Sequence, residues 1–173
     1  MLEQGLIHVY TGEGKGKTTA SVGLAVRARS RGLRVLYAQF MKSREGGETE
    51  LLAKLGVEVM RFHHVLSPRF HPHVPLDEIR EAARRAFAEL APRIESGYDL
   101  VVLDEFNCLL AADIITLGHA IEFIGKKGPH TELVLTGRGA PKELIASADL
   151  VTEMRESKHP YNDNVAARPG IEF

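Results

Sequence analysis

Short apolar runs recur along the chain, each closed by glycine or polar punctuation. Longer stretches with helical spacing lie between them. The runs at 6–10, 34–40, 57–62, 98–105, 132–136 and 150–154 have the length and bounding residues of strands. Two of them, 34–40 and 100–104, are apolar nearly throughout, as strands covered on both faces are. The run at 57–62 alternates. Helices are predicted at 17–30, 48–55, from Pro75 to Gly97, at 113–127 and from Pro141 to Ala148, with a short turn at 106–112. In the long helix Leu76, Ile79, Ala83, Ala86, Phe87, Leu90 and Ile94 share one face. Pro92 is expected to kink or shorten its last turn, and Pro141 to occupy a first helical position. Residues 41–47 read as a polar, mobile loop, and 63–73, with two prolines, as an irregular one. The tail from 155 to 173 is polar.

Strand–helix alternation imposes parallel neighbours and right-handed crossovers. The predicted fold is therefore a three-layer α/β domain with a mostly parallel sheet, a single domain over 1–173. Ligands of such sheets sit at the carboxyl ends of the strands. Residues 11–19, Lys42, 62–73, Asp104, Glu105 and Arg138 all follow strand ends, which predicts one functional edge.

Composition narrows the classes. Of 173 residues, 44% are hydrophobic and 26% charged, ordinary for a globular protein, and the formal net charge is −1. That charge removes the case for bulk-charge nucleic-acid binding, so an anion site must be local. The sole cysteine, Cys108, excludes an intrachain disulfide and fits a reducing cytoplasm. Residues 1–5 lack the features of a signal peptide. No apolar run approaches the ~18–20 residues of a membrane span.

The chemistry concentrates at Thr11-Gly12-Glu13-Gly14-Lys15-Gly16-Lys17-Thr18-Thr19. Strand, glycine-rich turn, Gly-Lys-Thr and helix form the grammar of a phosphate-binding loop. Glycines let consecutive N–H groups curl round an anion, and the helix N-terminus adds partial positive charge. Lys17 brings a cation to phosphates, and Thr18 offers a hydroxyl to Mg²⁺. One position departs from the usual spacing: Thr11 stands where the first glycine belongs. The bland alternative is a glycine-rich turn that binds nothing. Two lysines flanking Gly16 straight after a strand weigh against it.

Leu100-Val101-Val102-Leu103-Asp104-Glu105 has the form of a second nucleotide motif, with Asp104 holding Mg²⁺ and Glu105 either joining it or positioning water. Arg138 suits phosphate oxygens bidentately, or is a surface arginine in a turn. His63, His64, His71 and His73 read as a solvated loop or lid sooner than a zinc site. Cys108 reads as a buried structural thiol.

The stretch 10–20 resembles the variant phosphate loop of the ATP:cob(I)alamin (corrinoid) adenosyltransferases, which also carry Thr in place of the first glycine. Gln39-Phe40-Met41-Lys42, Val102-Leu103-Asp104-Glu105 and Thr136-Gly137-Arg138-Gly139 resemble later blocks of that family in the same order. Lys158-His159-Pro160-Tyr161 through Gly170-Ile171-Glu172-Phe173 resembles its tail, so the likeness covers nearly the whole chain. The resemblance implies a RecA-like nucleotide-binding domain that moves the 5′-deoxyadenosyl group of ATP to Co(I) of a reduced corrinoid and releases triphosphate. It implies ATP held by Gly12, Glu13, Gly14, Lys15, Gly16, Lys17, Thr18, Thr19 and Arg138, with Lys17, Thr18 and Arg138 catalytic. It further implies Mg²⁺ or Mn²⁺ at Thr18, Asp104 and Glu105, a corrinoid near Phe62 and His63, a homodimer, and a flavin-type protein as reductant. Some members carry a tryptophan after the third strand, whereas this sequence has none. Two other readings stay open: a phosphate-loop ATPase using Glu105 to position water, and a nucleotide- or corrinoid-binding module without catalysis.

Overall fold

Six strands form one sheet in the order β3-β2-β4-β5-β1-β6, and every neighbouring pair runs parallel. The computed structural model describes residues 2–42, 47–163 and 165–171. Most of the polar loop expected at 41–47, namely 43–46, lies outside them, as do Glu172 and Phe173 of the tail. In chain order the elements are β1 (Ile7–Thr11), α1 (Lys17–Ser30), β2 (Val35–Gln39), α2 (Gly47–Lys54), β3 (Glu58–Arg61), α3 (Leu76–Glu95), β4 (Leu100–Asp104), α4 (Phe106–Ala111), α5 (Leu117–Gly125), β5 (Glu132–Thr136), α6 (Lys142–Ala146) and β6 (Leu150–Glu153). Among the described residues no helix is long and apolar enough to cross a membrane.

Alternation along the buried strands divides the core in two. Leu100 and Val102 of β4 join Tyr37 and Val134 under Ala25 and Ala28 of α1 and Leu52 of α2. Val101 and Leu103 face the other way and meet Ile79, Phe87 and Leu90 of α3, Phe123 of α5 and Leu144 of α6. Helices therefore cover both faces, giving the three layers. Small residues let α1 lie close to the sheet: Ser21 and Ala25 are wholly buried.

Three local expectations need correction. The helix expected over 113–127 runs only from Leu117 to Gly125. Ile114 and Ile115 are buried ahead of it, and the Thr116 side chain caps it by accepting the His119 N–H at 3.2 Å. Pro92 does not shorten α3, which continues to Glu95. The carbonyl deprived of its donor belongs to exposed Ala88, which water can reach, while wholly buried Ile94 anchors the final turn. Pro141 is the N-cap of α6 in extended conformation, one place before the first helical residue.

Phe87 is the hub of the larger core. Its ring centroid lies 5.8 Å from Phe40, 5.9 Å from Phe106 and 4.7 Å from Phe123. Truncation leaves a cavity on the face that supports β4. Phe87→Ala is expected to cost about 3–5 kcal/mol of stability. Urea unfolding should show a lower midpoint at an unchanged slope.

Candidate active site

The chain leaves β1 at Thr11 and turns into α1 within five residues, Gly12 to Gly16. Thr11 takes the place of a glycine because it is still strand: it pairs with Glu153, and its hydroxyl accepts the Ala140 N–H at 3.3 Å. Gly12 has φ +96°, and a Cβ there would fall 2.4 Å from the Met154 carbonyl oxygen. That carbonyl also accepts the Gly14 N–H at 2.7 Å, so the exit of β6 clamps the loop's outer side. Gly16, at φ +121°, turns the chain into the helix.

Lys17 is 8% exposed and folds back over the loop. Its ammonium donates to the carbonyls of Gly12 and Gly14, both at 2.6 Å. Burial lowers its pKa, and the nearby Arg138 charge lowers it further, while Glu105, Cys108 and Glu13 oppose the shift. Lys15 donates to the Ile171 carbonyl at 2.9 Å, which lays the tail across the loop. Arg138, exposed on the turn after β5, reaches Glu13 of the loop at 2.8 Å.

Asp104 ends β4 with no exposed surface. It does not touch the loop's strand, because β5 lies between β4 and β1. Its Oδ1 instead accepts Thr136 of β5 at 2.7 Å and Thr18 of α1 at 3.0 Å. Its Oδ2 accepts the Gln39 amide of β2 at 3.1 Å and lies 2.9 Å from the Lys42 ammonium. Burial would lower the pKa of Lys42, but the charge of Asp104, a hydrogen bond to it, and Glu105 and Glu48 together raise it. Thr18 Oγ1 and Asp104 Oδ1 form a pair of hard oxygen donors of the kind Mg²⁺ takes.

Glu105 follows in the left-handed region, φ +64°. Its N–H is held by Thr136 Oγ1 at 3.1 Å, and its Oε2 accepts the Cys108 thiol at 2.9 Å. The thiol in turn accepts the Arg138 N–H at 3.3 Å. Asn107 donates to the carbonyls of Tyr10 and Gly137, which ties the start of α4 to both the loop strand and the Arg138 turn.

Lys15, Gly16, Lys17, Thr18, Thr19, Lys42, Glu105 and Arg138 thus line one cleft of about 580 Å³, closed on the tail side by His159, Gly170 and Ile171. That volume lies within the range of small-molecule sites. Phe62 and His63 stand elsewhere on the edge, after β3. Phe62 is half-buried and stacks on Phe40 with centroids 5.1 Å apart, while His63 is exposed. The other loop histidines stay apart from a metal set: among the described residues no three His, Cys, Asp or Glu gather to hold an ion. Gln39, Thr136 and Met154 received no role from sequence, and Lys42 was placed on the functional edge without a partner, because each acts through a residue distant in the chain. Their sequence signals are position at a strand end and, for Gln39, Lys42 and Thr136, membership of the blocks that resemble the family.

The family described as ATP:corrinoid adenosyltransferase BtuR/CobO/CobP matches residues 3–173. A corrinoid adenosyltransferase of Sinorhizobium sp is 38% identical over 99% of this chain and 81% of its own length. The Escherichia coli K12 corrinoid adenosyltransferase is 35% identical over 99% of this chain and 87% of its own. Corrinoid adenosyltransferase CobA of Salmonella typhimurium is 36% identical over the same shares of the two chains, 99% and 87%.

Burial and the Glu105 charge push the Cys108 thiol up to about 12. The folded state keeps this proton after the unfolded chain releases it, near the ordinary thiol value of about 8.5. Stability from this group is complete below that value and falls as pH rises toward 12. Alkylation of the native protein at pH 8 should therefore be far slower than in urea. Equal rates would contradict a half-buried, neutral thiol held on Glu105.

Proposed function

The chain belongs to the ATP:corrinoid adenosyltransferase family, and we propose that it moves the 5′-deoxyadenosyl group of ATP to Co(I) of a reduced corrinoid, in the formation or salvage of adenosylcobalamin. Co(I) supplies an electron pair to the ribose C5′ and a cobalt–carbon bond forms. The C5′–O5′ bond breaks, and its electrons leave with triphosphate. The nucleophile arrives on the substrate, so no side chain needs activation. The protein's work is to align C5′ and to stabilise charge gathering on the leaving group.

One observation carries this reading. The cleft collects Lys15, Lys17, Lys42 and Arg138 beside a helix N-terminus, whereas of the two acids that line it Glu48 lies 3.6 Å from Lys42 and Glu105 is engaged by the Cys108 thiol. That is machinery for an anionic leaving group more than for proton abstraction from water. We assign Lys17, Thr18 and Arg138 the catalytic contacts to phosphate oxygens. Gly12, Glu13, Gly14, Lys15, Gly16 and Thr19 shape the ATP site. Glu13 holds the Arg138 guanidinium at the loop's mouth. The pairing of Thr18 with Asp104 fits Mg²⁺ or Mn²⁺, and we assign Glu105 to the same ion. Bound there, the ion supplies positive charge to the phosphates.

Phe62, stacked on Phe40, and exposed His63 are assigned to the corrinoid side. One sheet carries every residue named, which supports residues 1–173 as a single catalytic domain. A homodimer and a flavin-type protein reductant complete the reading on the family likeness.

Anaerobic incubation of the protein with ATP and chemically reduced cobalamin should give the visible spectrum of the alkyl cobalt product and an equivalent of inorganic triphosphate. Phosphate release without a cobalt–carbon bond would overturn the assignment. Lys17→Ala should lower kcat/KM by about 10²–10³, the usual loss for one donor aimed at developing charge. Glu105→Gln should retain partial activity; complete loss would favour a water-positioning role.

A further inference from the structure

We propose that Lys42 is a tethered cation that competes with a divalent metal for Asp104, so that the metal enters this site only in company with a polyphosphate. The inference rests on the nucleotide reading above and adds a rule of entry to it.

Asp104 is wholly buried, and its Oδ1 is already satisfied by Thr18 and Thr136. Lys42 Nζ sits 2.9 Å from Oδ2 and 3.3 Å from Thr18 Oγ1, the two groups that fit a metal. The ammonium therefore stands against the same carboxylate, through its other oxygen, and the same Thr18 hydroxyl that a metal ion would use. Two cations cannot share one buried carboxylate without strong mutual repulsion. Glu48, 3.6 Å from Lys42, offsets only part of it. A bare divalent ion must then displace Lys42 into a cleft already carrying Lys15, Lys17 and Arg138.

A polyphosphate changes this balance. It brings several negative charges to the cleft that Lys42 lines, so the flexible ammonium gains a new partner as the metal takes its old one. A second observation points the same way. Gln39 donates its amide N–H to Asp104, but its buried Oε1 has no hydrogen-bond partner among the described residues. The water shell of a divalent ion supplies O–H donors of the kind this acceptor lacks.

The test is Mn²⁺ binding to the nucleotide-free protein, followed by electron paramagnetic resonance of the free ion. Lys42→Gln should bind Mn²⁺ at least about tenfold more tightly than wild type, because one positive charge has left the site. Lys42→Arg should behave as wild type, and Lys42→Gln combined with Asp104→Asn should lose the gain. Inorganic triphosphate should confer tight Mn²⁺ binding on wild type. Equal affinity in wild type and Lys42→Gln, or a gain that survives Asp104→Asn, overturns the proposal. Wild type alone gives an independent reading should the variant fail to fold. Mn²⁺ with triphosphate should raise its melting temperature, and Mn²⁺ alone should not; an equal rise from the bare ion sinks the idea. None of these readouts uses adenosyl transfer. Failure here with cobalamin still adenosylated removes the entry rule only, and absent adenosylation with this Mn²⁺ pattern intact removes only the reaction.

Discussion

A single carboxylate, that of Asp104, sets the constraint from which the functional edge follows. An ionised group with no exposed surface is costly unless each oxygen is satisfied and its charge is met. Satisfying it draws in the tips of β2 and β5, the first turn of α1 and the segment after β2, through Gln39, Thr136, Thr18 and Lys42. These contacts fix where the phosphate loop begins relative to β4, although β5 separates the two strands. The geometry of the cleft is thus a by-product of charge satisfaction at one buried atom pair.

The same economy runs through the cleft's cations. Lys17 rests on loop carbonyls, Arg138 on Glu13, Lys42 on Asp104, and Lys15 on a tail carbonyl. Each has a partner within the fold that is either neutral, exposed or shared. Exposed pairs such as Arg138 with Glu13 contribute little stability, so exchanging them for a charged ligand costs little. A site built this way keeps its positive charge compact without ligand and can redirect it toward a polyanion. That suits a reaction whose hard part is the departure of triphosphate from carbon.

Much of the architecture was legible because it follows local pattern. Helix α1 and strand β5 fall where the spacing puts them, since a glycine turn and a buried apolar run bound each. The phosphate loop was legible as a motif, and the family likeness turned Thr11 from a defect into a signature. Its physical cause, a strand residue bonded to Ala140, required coordinates. What stayed hidden depends on contacts across the chain. Gln39 and Asp104 meet across 65 positions, and Thr18 and Asp104 across 86, so no window of sequence displays them. The late start of α5 was hidden for a different reason: buried Ile114 and Ile115 imitate helical periodicity while packing as a turn. Pro92 does not shorten α3 because the cost of its missing donor depends on whether the orphaned carbonyl meets solvent.

The claim beneath all of this is that the cationic loop, and Lys17 in particular, is arranged to receive a triphosphate. A crystal structure with ATP and Mn²⁺ bound tests it most directly. The triphosphate should lie in the loop from Gly12 to Thr19, with the Lys17 ammonium on phosphate oxygens in place of the Gly12 and Gly14 carbonyls. A nucleotide bound outside that loop, with Lys17 still on both carbonyls, would contradict the account.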